Sequence, residues 1–432
     1  MLDSFKTLLI IMMRAGSARA IIVVGSVGLT IFLGRSTGAE GLGQFSILQS
    51  IIMGAGIIAT CGTDLAILKF ASGDKETRSK SILIYALKVV AIPLVLIVVV
   101  LGIMSEAIYA FFNFSFSTSA WLIFTVAITS YVVLNITSSF LKARTFAFRG
   151  SIAEPAIIPI VALVCCITGY YASDFLSLDF IVKSYLAASA LALFFSLFSI
   201  CYSFGKGGLV ELNRTEKKAF KHSAQHFFVY NIMGLSQSVG LILIVAAALP
   251  PADMGVFKAV ERIVVLANVV IMMLNSFIPP KIAHAYQQKD YTKIQHLVDF
   301  SCMAGVICFL PVFLICVMFP EAVLSIFGEG FEGGASVLVF MVSAQMFNVA
   351  TGPMLYLLNM TGHQMIATLI LSFVTVVILP AAYYFSHILG LQGAAYSMAA
   401  LYTVPKLILV FICLRKVKVF PFIGMFKRVL GS

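Results

Sequence analysis

Long apolar runs alternate with short polar stretches along the whole chain. A helix that crosses the hydrocarbon core of a bilayer needs about 20 residues. With that window the pattern predicts about twelve spans, near 16–34, 44–70, 81–103, 119–141, 150–171, 180–203, 222–249, 254–277, 297–319, 335–358, 364–386 and 391–413. The gaps are short, so no soluble domain of useful size is expected. Residues 1–13 read as a short helix lying at the interface. FKTLLIIMM followed by RAGSARA has some look of a cleaved signal peptide, but Arg14 and Arg19 run straight into another apolar stretch.

The pattern also repeats. AEGLGQF (39–45) and ADMGVF (252–257) match at an offset of 212, aligning Gly43 with Gly255 and Phe45 with Phe257. SEAIYAFF (105–112) echoes PEAVLSIF (320–327), Pro93 finds Pro311, and Gly150 meets Gly362. Order and spacing are kept, in a chain of 432 residues. The expected fold class is an all-α polytopic membrane protein, with about 12 transmembrane helices in two six-helix parallel-repeat bundles around a central cavity. The expected domains are an N-terminal lobe (1–204), a cytoplasmic linker (205–221), a C-terminal lobe (222–413) and a basic cytoplasmic tail (414–432).

Composition agrees with a lipid solvent. Hydrophobic residues make up 61% and charged residues 11% of the chain, and mean hydropathy is +1.04. Charge then sets orientation, because basic residues favour the cytoplasmic side. With both termini inside, alternate assignment of the loops leaves 23 of 29 basic residues on that side. The net charge of +11 is therefore a topology signal and an attraction to anionic lipid, not a nucleic-acid footprint. The eight cysteines lie in or beside apolar spans, with no metal-ligand spacing, and read as packing residues.

A few polar residues stand out against this background. Lys258, Glu261 and Arg262 open the span GVFKAVERIVVLANVVIMMLNSF, and Asn268 and Asn275 continue their face. The repeat offset aligns the three charges with Ser46, Gln49 and Ser50 on the second span. A charge facing lipid costs roughly 2.5–3.5 kcal/mol at mid-depth, so both faces are expected to line a cavity. The competing reading has Lys258 snorkelling to the headgroups with Glu261 neutralising it. Arg262 suits phosphate, because its planar fork binds two oxygens.

Asp64 has three readings: a pair with Lys69, a site for a coupling cation or proton, or a marker of the inner interface. His226 lies on a polar stripe of the seventh span, with His222, Gln225, Asn231, Gln237 and Ser238, and is a candidate titrating group. Arg144, Arg149 and Glu154 sit at the inner surface. There they meet an anionic headgroup on its way in, or serve topology and, for Glu154, a helix N-terminus. No G-K-[ST] phosphate loop, G-x-S-x-G or H-E-x-x-H motif occurs, so neither an ATPase nor another enzyme is expected, and no cofactor or metal.

Several segments carry a family likeness. LGRSTGAEGLGQFSI (33–47) and NSFIPPKIAHAY (275–286), with the charged stretches GDKETRSK and QQKDYTKIQ, resemble the Wzx-type O-antigen and exopolysaccharide flippases, in the multidrug/oligosaccharidyl-lipid/polysaccharide exporter superfamily. The twelve-span pattern extends the resemblance over the whole chain. It implies a flippase of the cell inner membrane in lipopolysaccharide and polysaccharide biosynthesis. The implied substrate is an undecaprenyl-pyrophosphate-linked oligosaccharide, moved from the cytoplasmic to the periplasmic leaflet by alternating access. The resemblance implies coupling to a proton or sodium gradient, and partners among membrane lipids and the pathway's polymerase and chain-length regulator. Lys258 and Arg262 would meet the pyrophosphate or acidic sugars. One departure is SQSVGLI (236–242), where many relatives carry an acidic residue.

Three alternatives compete. A drug/cation antiporter of the same superfamily needs a buried carboxylate, for which Asp64 and Glu261 are the candidates. A major-facilitator transporter would show a Gly-x-x-x-Asp-Arg-type inner loop, which FASGDKETRSK lacks. A glycan polymerase would show a large outer loop, which is missing.

Overall fold

The computed structural model describes the backbone of residues 2–72, 76–114, 117–144, 147–173, 177–203 and 210–419. It describes their side chains except at 2–22, 76, 147–148, 151, 171–173, 201–203 and 266–277. The described residues are overwhelmingly helical, with no strand among them. That is the expected outcome for a chain that must satisfy its backbone hydrogen bonds without water.

Helices α1 (Leu2–Thr60), α2 (Thr63–Phe70), α3 (Glu76–Ile103) and α4 (Ser105–Phe111) open the chain. They are followed by α5 (Ala120–Ile123), α6 (Thr129–Ala143), α7 (Ala147–Ile152), α8 (Ile158–Ser173) and α9 (Leu178–Ser203). Next come α10 (Arg214–Leu235), α11 (Leu241–Ala246), α12 (Pro251–Gln287) and α13 (Tyr291–Met318). The chain closes with α14 (Pro320–Leu324), α15 (Ala335–Ala350), α16 (Met354–Met360) and α17 (Gln364–Val417). π-helical turns at Phe124–Ile128 and Ser236–Gly240 join α5 to α6 and α10 to α11.

Among the described residues, eight helical stretches are long and apolar enough to cross a membrane. Two of them are double. A straight 54-residue α17 would be about 80 Å long, more than twice a ~30 Å hydrocarbon core. It turns at Gly390 (φ 59°, ψ −138°), and α1 turns at Gly38 (φ 70°, ψ −172°). The polar segment expected as a loop between the first two spans is therefore helix on both sides of a single non-helical residue. Residues 2–13, expected as a separate interfacial helix, run continuously into α1.

Contacts divide the chain into two compact units. Unit 1 holds residues 1–37 and 44–243, and unit 2 holds 38–43 and 244–432. The contact units thus group α10 with α2 in unit 1, a division distinct from the six-helix halves of the sequence repeat. In unit 2, an apolar cluster joins Ile282 of α12, Val298 and Cys302 of α13, Leu357 of α16 and Leu409 of α17, all buried. Large apolar residues face outward in rows, such as Phe194 and Phe198 on α9 and Phe373 and Val376 on α17. Rows of that kind are stable against lipid and unstable against water.

Local signals explain several boundaries. Pro251 stands in the first turn of α12, where its missing N–H costs nothing. Asn213 and Glu216 form a capping box at the start of α10, the Asn213 N–H donating to Glu216 Oε2 at 2.8 Å. Helices α3 and α13 are each 28 residues long, contain a proline (Pro93 and Pro311), and are followed after one residue by a short helix.

Candidate functional site

The three charges of α12 lie together inside unit 2. Lys258 and Glu261 are 5% and 8% exposed, and Nζ of Lys258 stands 3.0 Å from Oε2 of Glu261. Phe257, Val260 and Val264 are fully buried around them. Burial and pairing together leave Lys258 no need to snorkel. Arg262 follows one residue later, within electrostatic reach of both partners. It lies about 16 Å along the axis from the start of α12, at about 1.5 Å per residue. Its Nε is buried and donates to no described group. Lys258 and Glu261 neutralise each other, so the trio carries one net positive charge, at the guanidinium. A buried pair of this kind fixes geometry more than it adds stability.

Unit 1 holds a second polar centre. α1 stops at Thr60, Cys61 and Gly62 take positive φ, and α2 restarts at Thr63 with Asp64 in its first turn. The amide Nδ2 of Asn231 on α10 donates to Asp64 Oδ1 at 3.0 Å and to Oδ2 at 3.3 Å. The expected pair with Lys69 does not form. Lys69 Nζ instead donates to Ser223 Oγ at 3.3 Å and lies over the Phe70 ring. Glu154 stands at the N-cap of the turn Pro155–Ile157 that leads into α8, the helix-terminus position expected of it, and its carboxylate also forms an ion pair with Lys142 of α6. Lys142 acts electrostatically on Asp64 as well, so Asp64, Asn231, Lys142 and Glu154 form one network.

The remaining sequence-selected residues scatter. Ser46 and Ser50 are buried, and the Ser50 hydroxyl donates to the Ser46 carbonyl at 2.8 Å. That corrects the expectation of an open polar face at these two positions. Gln49 hydrogen-bonds Tyr185. The Asn268 and Asn275 side chains fall outside the described residues. His226 is exposed on α10, its ring 4.6 Å from that of His222. Arg149 is exposed and Arg144 partly buried.

Sequence reasoning passed over two residues that the fold brings to this region. Tyr402 on α17 lies within electrostatic reach of Glu261. Lys406, one turn further, donates to the Gly352 carbonyl at 2.9 Å. A lone lysine in VPKLILV was the available signal.

No protein-family model matches the sequence, and no curated protein matches it. Solved structures do match the fold. An inward-facing MATE-family multidrug resistance transporter of the MOP superfamily has a TM-score of 0.71 at 16% identity, over 92% of this chain and 94% of that one. The lipid II flippase MurJ, in an inward closed conformation, has 0.71 at 13% identity, over 96% and 89%. The MATE multidrug transporter DinF-BH, solved as a complex, has 0.63 at 16% identity, over 96% of both chains. The chain shares the fold of these proteins, and the eight long apolar helical stretches among its described residues make it a multi-pass membrane protein.

Proposed function

We propose that the protein is a flippase for a lipid-linked oligosaccharide, carried as an undecaprenyl-pyrophosphate intermediate in O-antigen or related polysaccharide biosynthesis. It moves the head from the cytoplasmic to the periplasmic leaflet of the inner membrane by alternating access. It has twelve spans as two six-helix lobes (1–204 and 222–413), joined by the 205–221 linker, with both termini inside. Arg262 is the anion-binding residue. The observation that carries this reading is the buried, undonated Nε of Arg262 beside a self-neutralised Lys258–Glu261 pair. An arginine held that way presents net positive charge and a free donor within the span, which suits a pyrophosphate. The charge asymmetry of the sequence supports the orientation. The polymerase and chain-length regulator of the pathway are the partners.

The test is deletion of this chain from its host. Lipid-linked oligosaccharide is then measured in the membrane, and polymer at the surface. Intermediate that accumulates while surface polymer disappears is the expected result; unchanged glycans would overturn it.

A multidrug antiporter is the second reading, favoured by one observation. Asp64 is a carboxylate within a membrane-spanning unit, held by an amide rather than an ion-paired cation. On that reading Asp64 carries the proton or sodium coupling, and glycans are unaffected by the deletion.

A further inference from the structure

The span formed by α15 and α16 is broken at Thr351–Pro353. Gly352 takes φ +67°, and a Cβ there would stand 2.5 Å from the Cys302 sulfur, so the position is closed to side chains on two counts. Pro353 supplies no N–H. The last turn of α15 is only partly repaired, by the N–H groups of Thr351 and Gly352 donating to Phe347 and Val349. The negative end of a half-helix and an unwound carbonyl thus lie together inside the apolar core of unit 2.

Helix α17 reaches this break with two side chains on one face, seven residues apart. The ammonium of Lys406 donates to the Gly352 carbonyl at 2.9 Å, and the Cys413 thiol donates to the Met354 carbonyl at 3.6 Å. Among the described residues, no carboxylate pairs with Lys406. Asp299, on neighbouring α13, accepts instead from Gln295 at 2.8 Å. An intramembrane ammonium without an acidic partner is compensated here by the Gly352 carbonyl and the C-terminus of α15. Half-helix C-termini and unwound carbonyls are the groups that coordinate alkali cations in transporters with broken helices.

We propose that Lys406 is a tethered cation, filling a monovalent-cation site that the α15–α16 break would otherwise form, so that unit 2 takes no free Na⁺ or K⁺ there. The break offers the Gly352 carbonyl and the C-terminus of α15, and the chain carries its own occupant. This inference does not rest on the substrate proposed above.

The experiment compares the full chain in detergent with Lys406→Ala, Lys406→Met and Lys406→Arg. The reading is Tm in NaCl, LiCl or KCl against equimolar choline chloride. The neutral variants should gain a cation-specific rise of about 2 °C or more, while wild type and Lys406→Arg show none. A folded Lys406→Ala without such a rise overturns the proposal. So does a wild type that rises as much as the variant. Where neither neutral variant can be purified, hydrogen exchange of the wild type decides. The amides of residues 351, 352, 354 and 355 should exchange equally in Na⁺ and choline, and slower exchange in Na⁺ means that a free cation already binds.

Discussion

Gly43 and Gly255 sit in reciprocal backbone contact. A Cβ on Gly43 would stand 1.8 Å from the Pro251 carbonyl oxygen, and a Cβ on Gly255 would stand 1.8 Å from that of Ala39. Each glycine meets the residue four positions before the other, as in membrane helices that meet through small residues. The two glycines are also the pair aligned by the sequence offset of 212, as are Ala39 and Pro251. Gly43→Ala and Gly255→Ala should each cost about 1–3 kcal/mol by overpacking. The check is thermal unfolding of the purified chain. Gly234→Ala is the control, because nothing lies within 4 Å of its Cβ position. It should gain up to about 1 kcal/mol. Equal Tm for all three would show that the contact is not tight.

Arg262→Ala should lower flipping more than tenfold while Tm changes little. Losing one charge-assisted contact is worth about 1.5–3 kcal/mol, and a tenfold effect is about 1.4 kcal/mol. Arg262→Lys should fall between, since lysine keeps the charge and loses the fork. Proteoliposomes loaded with lipid-linked oligosaccharide and probed with a membrane-impermeant reagent measure it. Full activity in a well-folded Arg262→Ala would remove the guanidinium from the binding site.

The Asp64–Asn231 pair predicts an order of stability. Asp64→Asn keeps two groups that hydrogen-bond each other and should cost under about 1 kcal/mol. Asn231→Leu strips the carboxylate of its amide and should cost about 1.5–3 kcal/mol. Thermal unfolding checks the order, and the reverse would mean that the carboxylate draws its support elsewhere. If Asp64 carries coupling, an imposed proton or sodium gradient should no longer accelerate transport by Asp64→Asn.

Lys142 and Glu154 are partly buried, at 28% and 22% side-chain exposure. Their coupling should therefore be near the upper end for exposed pairs, about 1 kcal/mol in a double-mutant cycle of Lys142→Met and Glu154→Gln. A coupling near zero would mark the pair as incidental to the network around Asp64.

Much of this was legible in the sequence, for identifiable reasons. The α12 trio announced itself because charges inside an apolar run have few places to go. Asp64 was noticed on the same ground, but its partner was not. Asn231 lies 167 positions away, and short-range spacing favoured Lys69. The offset of 212 paired Gly43 with Gly255, which meet in the fold, but the serines it aligned with the α12 charges form no open polar face. Serines in an apolar helix bond their own backbone, as Ser50 does. Lys406 was hardest to read, because its partner is a backbone carbonyl that no side-chain pattern records. The Gly352–Pro353 dipeptide within an apolar run was the one trace of the break.

The π-helical turn at Ser236–Gly240 has a consequence for ancestry. Such a turn holds one more residue than the α-helical turn it replaces. Everything after it is rotated by about 100° from where an unbroken count would put it. The positions before the turn, including Asn231, and those after it, from Leu241, therefore belong to two different phases. Aligned against a homologue without the turn, this helix needs a one-residue gap, and a side chain that looks substituted in an ungapped alignment has only moved one place along the thread.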